Sequence, residues 1–369
     1  MLFPNVDPIP IPAPVWLMKT LSLLTLTLHF FAVHILIGSL LAVGYFMLRG
    51  KKTGDPAALS AAAVLGRRLP IVMTYVINLG VPPLLFAQVL YGRALYTSSV
   101  LMGALWISVV FILMACYWLL YRISDLTHQS KSAIWQTLAA LALAGVVGQF
   151  FSFNMTLMLR PEVWPAMYAH SPSGLQVPPH DPTVMPRWFF TMVGGLVGGG
   201  LWVALNSSLK TIDEDTSRLM RRFGAGFAAV GALVQVVFGY VVYQSQPQNV
   251  QEGLQGTFYK VSAGLWSVGL LLVVLLAVAH FGRKSSSLFL GWAAPVGAFL
   301  SIAGTVIYRD GIRDVTLLAK GFDVWKRTEI SNWSVIGIFI ALLLVGLGTV
   351  GWLLFVMKLA KPVSEQVTL

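Results

Sequence analysis

Charge is scarce in this sequence. Only 11% of its 369 residues are Asp, Glu, Lys or Arg, where a soluble domain carries about 25%. With 57% hydrophobic residues and a mean hydropathy of +0.76, the composition excludes an ordinary soluble domain and makes the lipid bilayer the first partner. Cysteine is nearly absent as well. Cys116 stands alone in an apolar run, which rules out an intrachain disulfide, a CxxCH haem-attachment motif and a cysteine metal cluster. Acidic residues are outnumbered by basic ones, 14 to 25, giving a net charge of +11. In a soluble protein that excess would raise nucleic acid as a partner. In a membrane chain Lys and Arg collect at the cytoplasmic ends of spans, so no nucleic-acid role is expected.

What the sequence does have is apolar runs long enough to cross about 30 Å of hydrocarbon, which takes roughly 20 helical residues. Nine are expected, near 16-48, 70-92, 100-121, 133-158, 186-207, 223-243, 262-280, 287-307 and 334-357. They predict an all-α fold, a polytopic membrane helical bundle of nine transmembrane helices forming a single integral membrane domain over 1-369. The runs are continuously apolar and do not alternate, which disfavours barrel strands. The long first run follows a proline-rich start (Pro4, Pro8, Pro10, Pro12, Pro14) and reads as a retained helix, not a cleaved signal. Of the basic residues, 15 fall in the connections of one side and 10 on the other, half of those ten in the connection after the eighth run. The bias places the N-terminus outside and the C-terminus inside. The outer side then holds the longer connections, 159-185, 244-261 and 308-333, and the aromatic and proline-rich first of these is expected to form an ordered cap.

No run carries Asp, Glu, Lys or Arg near its middle, where pumps and proton relays usually reveal themselves, so a charge-driven transporter is disfavoured. A sparse polar set remains: His29, His34, Asn78, Gln88, Gln149, Asn154 and Gln235. His29 and His34 are five apart, roughly 140° around a helix. Only one is expected to face the core, either as a haem iron ligand with its other nitrogen on a carbonyl or in an interhelical hydrogen bond. Pro82 and Pro83 should kink the second run, with Gln88 beyond them to satisfy freed carbonyls or contact a head group. The glycines Gly194, Gly195, Gly198, Gly199, Gly200, Gly224 and Gly226 predict close helix packing or, alternatively, a face for a planar cofactor. Arg309 and Arg313, one turn apart after the eighth run, could grip carboxylates, haem propionates or a partner protein, or form a solvated ion-pair cluster.

Four local patterns resemble subunit I of the bacterial cytochrome bd-type quinol oxidases. They are Leu24-Thr25-Leu26-Thr27-Leu28-His29-Phe30, Leu79-Gly80-Val81 through Gly92, Asn154 with its following Met and Pro161, and Phe190-Thr191. The resemblance implies nine helices, the N-terminus outside and a quinol loop between the sixth and seventh. His29 falls on the family's ligand to a high-spin haem, which implies at most one haem b, held through His29. Gln88 stands where the family has a glutamate, Phe190 where it has the low-spin haem's histidine, and Leu265 or a neighbour replaces the methionine partner. The third and eighth runs lack the family's glutamates, and 244-261 is far shorter than its quinol loop. Such a chain is not expected to be a complete terminal oxidase. It is expected to be a membrane subunit of a respiratory electron-transfer complex in the bacterial inner membrane, contacting quinol through His29, Gln88 and Asn154. Electrons would pass to or from a c-type cytochrome, or another membrane subunit would be the partner. The alternatives are a non-catalytic anchor or assembly subunit and, third, a transporter built on a helix broken at Pro82-Pro83.

Overall fold

The computed structural model describes residues 3, 10–209, 211–281 and 288–359. Pro4, Pro8 and four of the basic residues counted for the charge bias, Lys210, Arg283, Lys284 and Lys361, lie outside the described residues. In chain order the helices are α1 (Val15–Thr53), α2 (Pro56–Gly66), α3 (Leu69–Leu101), α4 (Gly103–His128), α5 (Ile134–Leu157) and the short α6 (Trp164–His170). They continue with α7 (Val184–Asn206), α8 (Glu214–Gln244), the short α9 (Gln248–Gly253), α10 (Thr257–Phe281), α11 (Leu288–Ala319) and α12 (Trp333–Leu359). Among the described residues, seven helical stretches are long and apolar enough to cross a membrane: α1, α2 with α3, α4, α5, α7, α8 and α10. Helices α11 and α12 stand where the last two runs were expected. The fold is an all-α polytopic membrane bundle. Large apolar side chains cover its outside, among them Phe111, Leu233, Leu271, Ile338 and Leu342, as lipid contact requires.

Two boundaries differ from the sequence reading. Helix α11 runs on to Ala319, well past 307, so Arg309 and Arg313 belong to a helix and not to a surface connection. Helix α3 keeps helical dihedrals through Pro82 and Pro83, and its backbone departs only at Tyr91 (φ −122°, ψ 23°). The broken helix expected at the prolines is therefore displaced to the level of Tyr91.

Helix α1 is the hub, packed against α2, α3, α5, α7 and α11. Its approach to α7 is backbone on backbone: a Cβ on Gly38 would lie 2.9 Å from the Gly199 nitrogen. Gly200 and Gly224 do the same for α7 and α8, with 2.6 Å from a Gly200 Cβ to the Gly224 oxygen. Close packing is thus the role of these glycines, Gly226 excepted, which faces open space. One apolar core gathers around the start of α1 (Met18, Leu90, Tyr91, Trp164, Phe322) and another around its end (Leu40, Phe46, Met47, Leu65, Leu120). Between them lies the middle of α1, with His29 and His34.

The ends are fixed by polar contacts. The backbone of Ile11 pairs with Thr328 and Ile330, and Glu329 Oε2 accepts from Val15 N at 3.1 Å, placing a carboxylate at the N-terminus of α1. At the start of α8 Asp213 accepts from Thr216 N at 2.9 Å, which holds its carboxyl below the usual carboxylate range. Asp213→Ala should cost about 1 kcal/mol. A carboxyl with a lowered pKa stabilises above its unfolded value, so in denaturant titrations the difference from wild type should disappear as pH falls through the folded pKa. The 159-185 connection is the ordered cap expected: Arg160 donates to the Pro179 and His180 carbonyls, and Lys320 meets Glu162 at 2.7 Å.

Candidate functional site

Both histidines of α1 point inward, each to its own cavity, where only one had been expected to face the core. His29 Nδ1 lies 3.1 Å from the Val76 carbonyl of α3. A carbonyl only accepts, so a neutral ring carries its proton on Nδ1 and its lone pair on Nε2. The ring fits because residue 80 has no side chain: a Cβ there would stand 2.9 Å from His29 Cε1. The cavity beside it is about 290 Å³, lined by Met73, Val81, Met155, Trp188 and others, and almost wholly apolar. Val81, half exposed on the outer surface of α3, brings its mouth to the lipid-facing side.

His34 lines a second cavity of about 360 Å³ with Phe190, Tyr240, Trp266 and Tyr308. Its ring stacks on Phe30 at 6.2 Å and is held against α7, where Cβ atoms at Gly194 and Gly198 would collide with it. The amide of Gln235 converges on the same space, 3.0 Å from a Gly194 Cβ. Tyr240, 65% exposed, and Val236 carry this mouth to the outer surface of α8. Phe190, expected at the position of a haem histidine, faces Trp266 at 6.2 Å across this cavity and offers no donor atom.

Four residues line both cavities: Phe30, Arg187, Thr191 and Arg309. Arg187 is held by the Thr183 carbonyl and the Thr156 hydroxyl, both at 2.9 Å, and by the Thr183 hydroxyl. Arg309 sits with its guanidinium 5.6 Å from the Phe30 ring centroid and forms no ion pair among the described residues. One helical turn on, the charges are fully engaged. Lys19, only 3% exposed, reaches Tyr91 Oη at 2.5 Å and both Asp310 and Asp314 at 2.7 Å. Tyr91 donates to Asp314 at 2.8 Å, Arg313 lies 3.7 Å from Asp310, and Trp325 Nε1 donates to Asp314 at 3.2 Å. Arg313 is therefore part of a buried network and not a solvated surface pair.

Of the residues expected to meet at a quinone cleft, only His29 is there. Gln88 lines neither cavity. Asn154 is fully buried, donates to Ser99 at 3.0 Å and ties α5 to α3, with Oδ1 unsatisfied. The sequence alone does not single out Arg187, Trp188, Lys19 or Tyr91; it sets Asp310 and Asp314 beside the two arginines without their partner Lys19. The signal for the network was present: Lys19 one turn into an apolar run can only be buried beside an acid, and Asp310 and Asp314 share one helix face.

A haem b requires an imidazole with a free Nε2, an apolar slot and positive groups for its acidic arms. The residues around the first cavity supply all three, in His29, the apolar lining and the Arg187–Arg309 pair. The second offers His34 and the same arginines.

No protein-family model matches the chain, and no curated protein matches it. Among solved structures it is similar to a chain of the bd oxidase from Geobacillus thermodenitrificans, with a TM-score of 0.66 at 13% identity, the alignment covering 96% of this chain and 100% of that one. At that identity the likeness is one of fold.

Proposed function

We propose that this chain is a bd-oxidase-like membrane subunit of a respiratory electron-transfer complex in the bacterial inner membrane, with the N-terminus outside and nine spanning helices. Its paired cavities take a redox ligand that arrives through the bilayer. The observation that carries this reading is the pair of adjoining apolar cavities, each with one inward imidazole, opening between helices toward lipid and sharing two arginines. Such a chamber suits a quinol, whose isoprenoid body needs an apolar path and whose head group needs a few fixed polar partners. His29 Nε2 and Thr191 Oγ1, whose own proton goes to the Arg187 carbonyl, offer hydrogen-bond acceptors to the quinol hydroxyls. With a haem b at His29 Nε2 in place of the quinol, that group would supply one-electron exchange; in either case the chain's own part is to fix the tautomer through Val76 and to exclude water with Met73, Met155 and Trp188.

Among the described residues no Asp, Glu or Lys lines either cavity, which argues against oxygen reduction within this chain alone. Electrons leave toward a c-type cytochrome or another subunit at the outer cap, where Arg160, Glu162 and Lys320 hold the 159-185 segment in place.

The test is to purify the protein in neutral detergent, extract and quantify quinone, and record a reduced-minus-oxidised spectrum with pyridine quantification of haem b. Wild type should hold at least one of the two groups. His29→Ala should reduce its content by 10-fold or more while elution on size exclusion stays unchanged. Wild-type protein that carries neither group and acquires neither on addition sinks the reading and leaves the anchor role.

A further inference from the structure

We propose that Arg187 and Arg309, at the seam of the two cavities, receive the acid group of an amphiphile that enters from the bilayer, a carboxylate or phosphate on an apolar body. This follows from a charge balance and does not depend on the redox reading above. The cations gathered at this level are Lys19, Arg187, Arg309 and Arg313. Among the described residues the anions beside them are Asp310, Asp314 and, next to Arg187, Asp181, which Arg160 shares, so with Arg160 five cations against three anions leave two positive charges in excess. Both aspartates are taken: Asp314 by Lys19, Tyr91 and Trp325, and Asp310 by Lys19, Tyr91 and Arg313. Asp181, the acid nearest Arg187, is itself engaged by Arg160 at 3.6 Å and by Thr183.

A guanidinium cannot shed its proton, so Arg309 stays charged in an apolar chamber. An unpaired charge in such a place is strongly unfavourable, and one phenyl face offsets only part of the penalty. Arg187 spends its hydrogen bonds on threonine oxygens, which satisfy donors but bring no negative charge. The deficit calls for an anion, and the planar fork of arginine matches carboxylate and phosphate oxygens in pairs. The chamber on either side has apolar walls and mouths at Val81 and Tyr240 on the lipid-facing surface, so the anion arrives on an apolar body and not from water.

The experiment uses the full chain in neutral detergent with two matched pairs of probes: oleate against oleyl alcohol, and phosphatidate against phosphatidylcholine. Thermal unfolding midpoints and native mass spectra are recorded for wild type, R309Q, R187Q and R309K. Ligand-stripped R309Q should unfold at a higher temperature than ligand-stripped wild type, because the uncompensated charge is gone. An acidic probe should raise the wild-type midpoint and its neutral analogue should not. R309Q should lose that shift and R309K should keep part of it. Selectivity for oleate identifies a carboxylate ligand, and selectivity for phosphatidate a lipid head group. Equal shifts from acidic and neutral probes, or an R309Q response like that of wild type, overturn the site. If R309Q does not fold, R187Q carries the same comparison. Haem-free protein that retains quinone yet ignores every acidic probe sinks this inference and leaves the proposed function standing.

Discussion

Lys19→Met destabilises the protein by about 3–5 kcal/mol, the cost of leaving buried acids without their cation. Its Nζ is the one atom that meets Tyr91, Asp310 and Asp314 together, tying α1, α3 and α11 at one level. The lysine and both aspartates are each less than a fifth exposed, so solvent does little to screen the loss. Denaturant unfolding in detergent measures it. A double variant, Lys19→Met with Asp314→Asn, should recover much of the stability, because the net charge is then unchanged, Arg313 keeps Asp310, and a neutral amide at 314 can hydrogen-bond to Tyr91 and Trp325 without a counter-charge. A neutral single variant would mean that the cluster is hydrated, and the charge balance drawn around it would fall with it.

Gly38→Leu should yield no monodisperse protein at all. The first atom of the new side chain would stand 2.5 Å from the Gly199 α-carbon and 2.9 Å from its nitrogen, and backbone cannot turn away as a side chain can. Overpacking inside a core costs about 1–3 kcal/mol when side chains absorb it; here two helices have to separate, and α1 also carries both histidines. Gly226→Leu is the control, since nothing lies within 4 Å of its missing Cβ. Size-exclusion profiles of the two variants should differ sharply. Similar profiles would show that α1 and α7 do not touch through these glycines.

The helices were legible in the sequence because the bilayer dictates run length directly, and the glycine clusters announced their packing for a similar reason. The end of α11 was not, because hydropathy closes a span at its first charge. Arg309, Asp310, Arg313 and Asp314 continue the helix, with the aspartates balanced by Lys19 from a residue nearly 300 positions away in sequence. No local window can register a partner at that separation. The placement of the histidines was missed for a geometric reason. An angle of roughly 140° puts two side chains on different faces, and on most helices one of those faces would meet lipid. Helix α1 has neighbours on nearly every side, so both faces are interior. Its sequence is apolar all round and carries no sign of which neighbours those are. Gln88 and Asn154 stand out as rare polar residues in apolar runs, but polarity does not say which way a side chain faces: Asn154 is spent on Ser99, and Gln88 lines neither cavity.

The contact between Glu329 and the start of α1 has a bearing on biosynthesis. Helix α1 has no acid of its own in its opening turn and borrows one separated from it by 314 positions. Until the stretch around Thr328 and Ile330 has been translated, Ile11 has no strand-like partner and the amide of Val15 has no anion. Closure of this end of the bundle therefore waits for that stretch, and a chain halted just before it would hold Lys19 and its aspartates together but leave the entry to α1 uncapped.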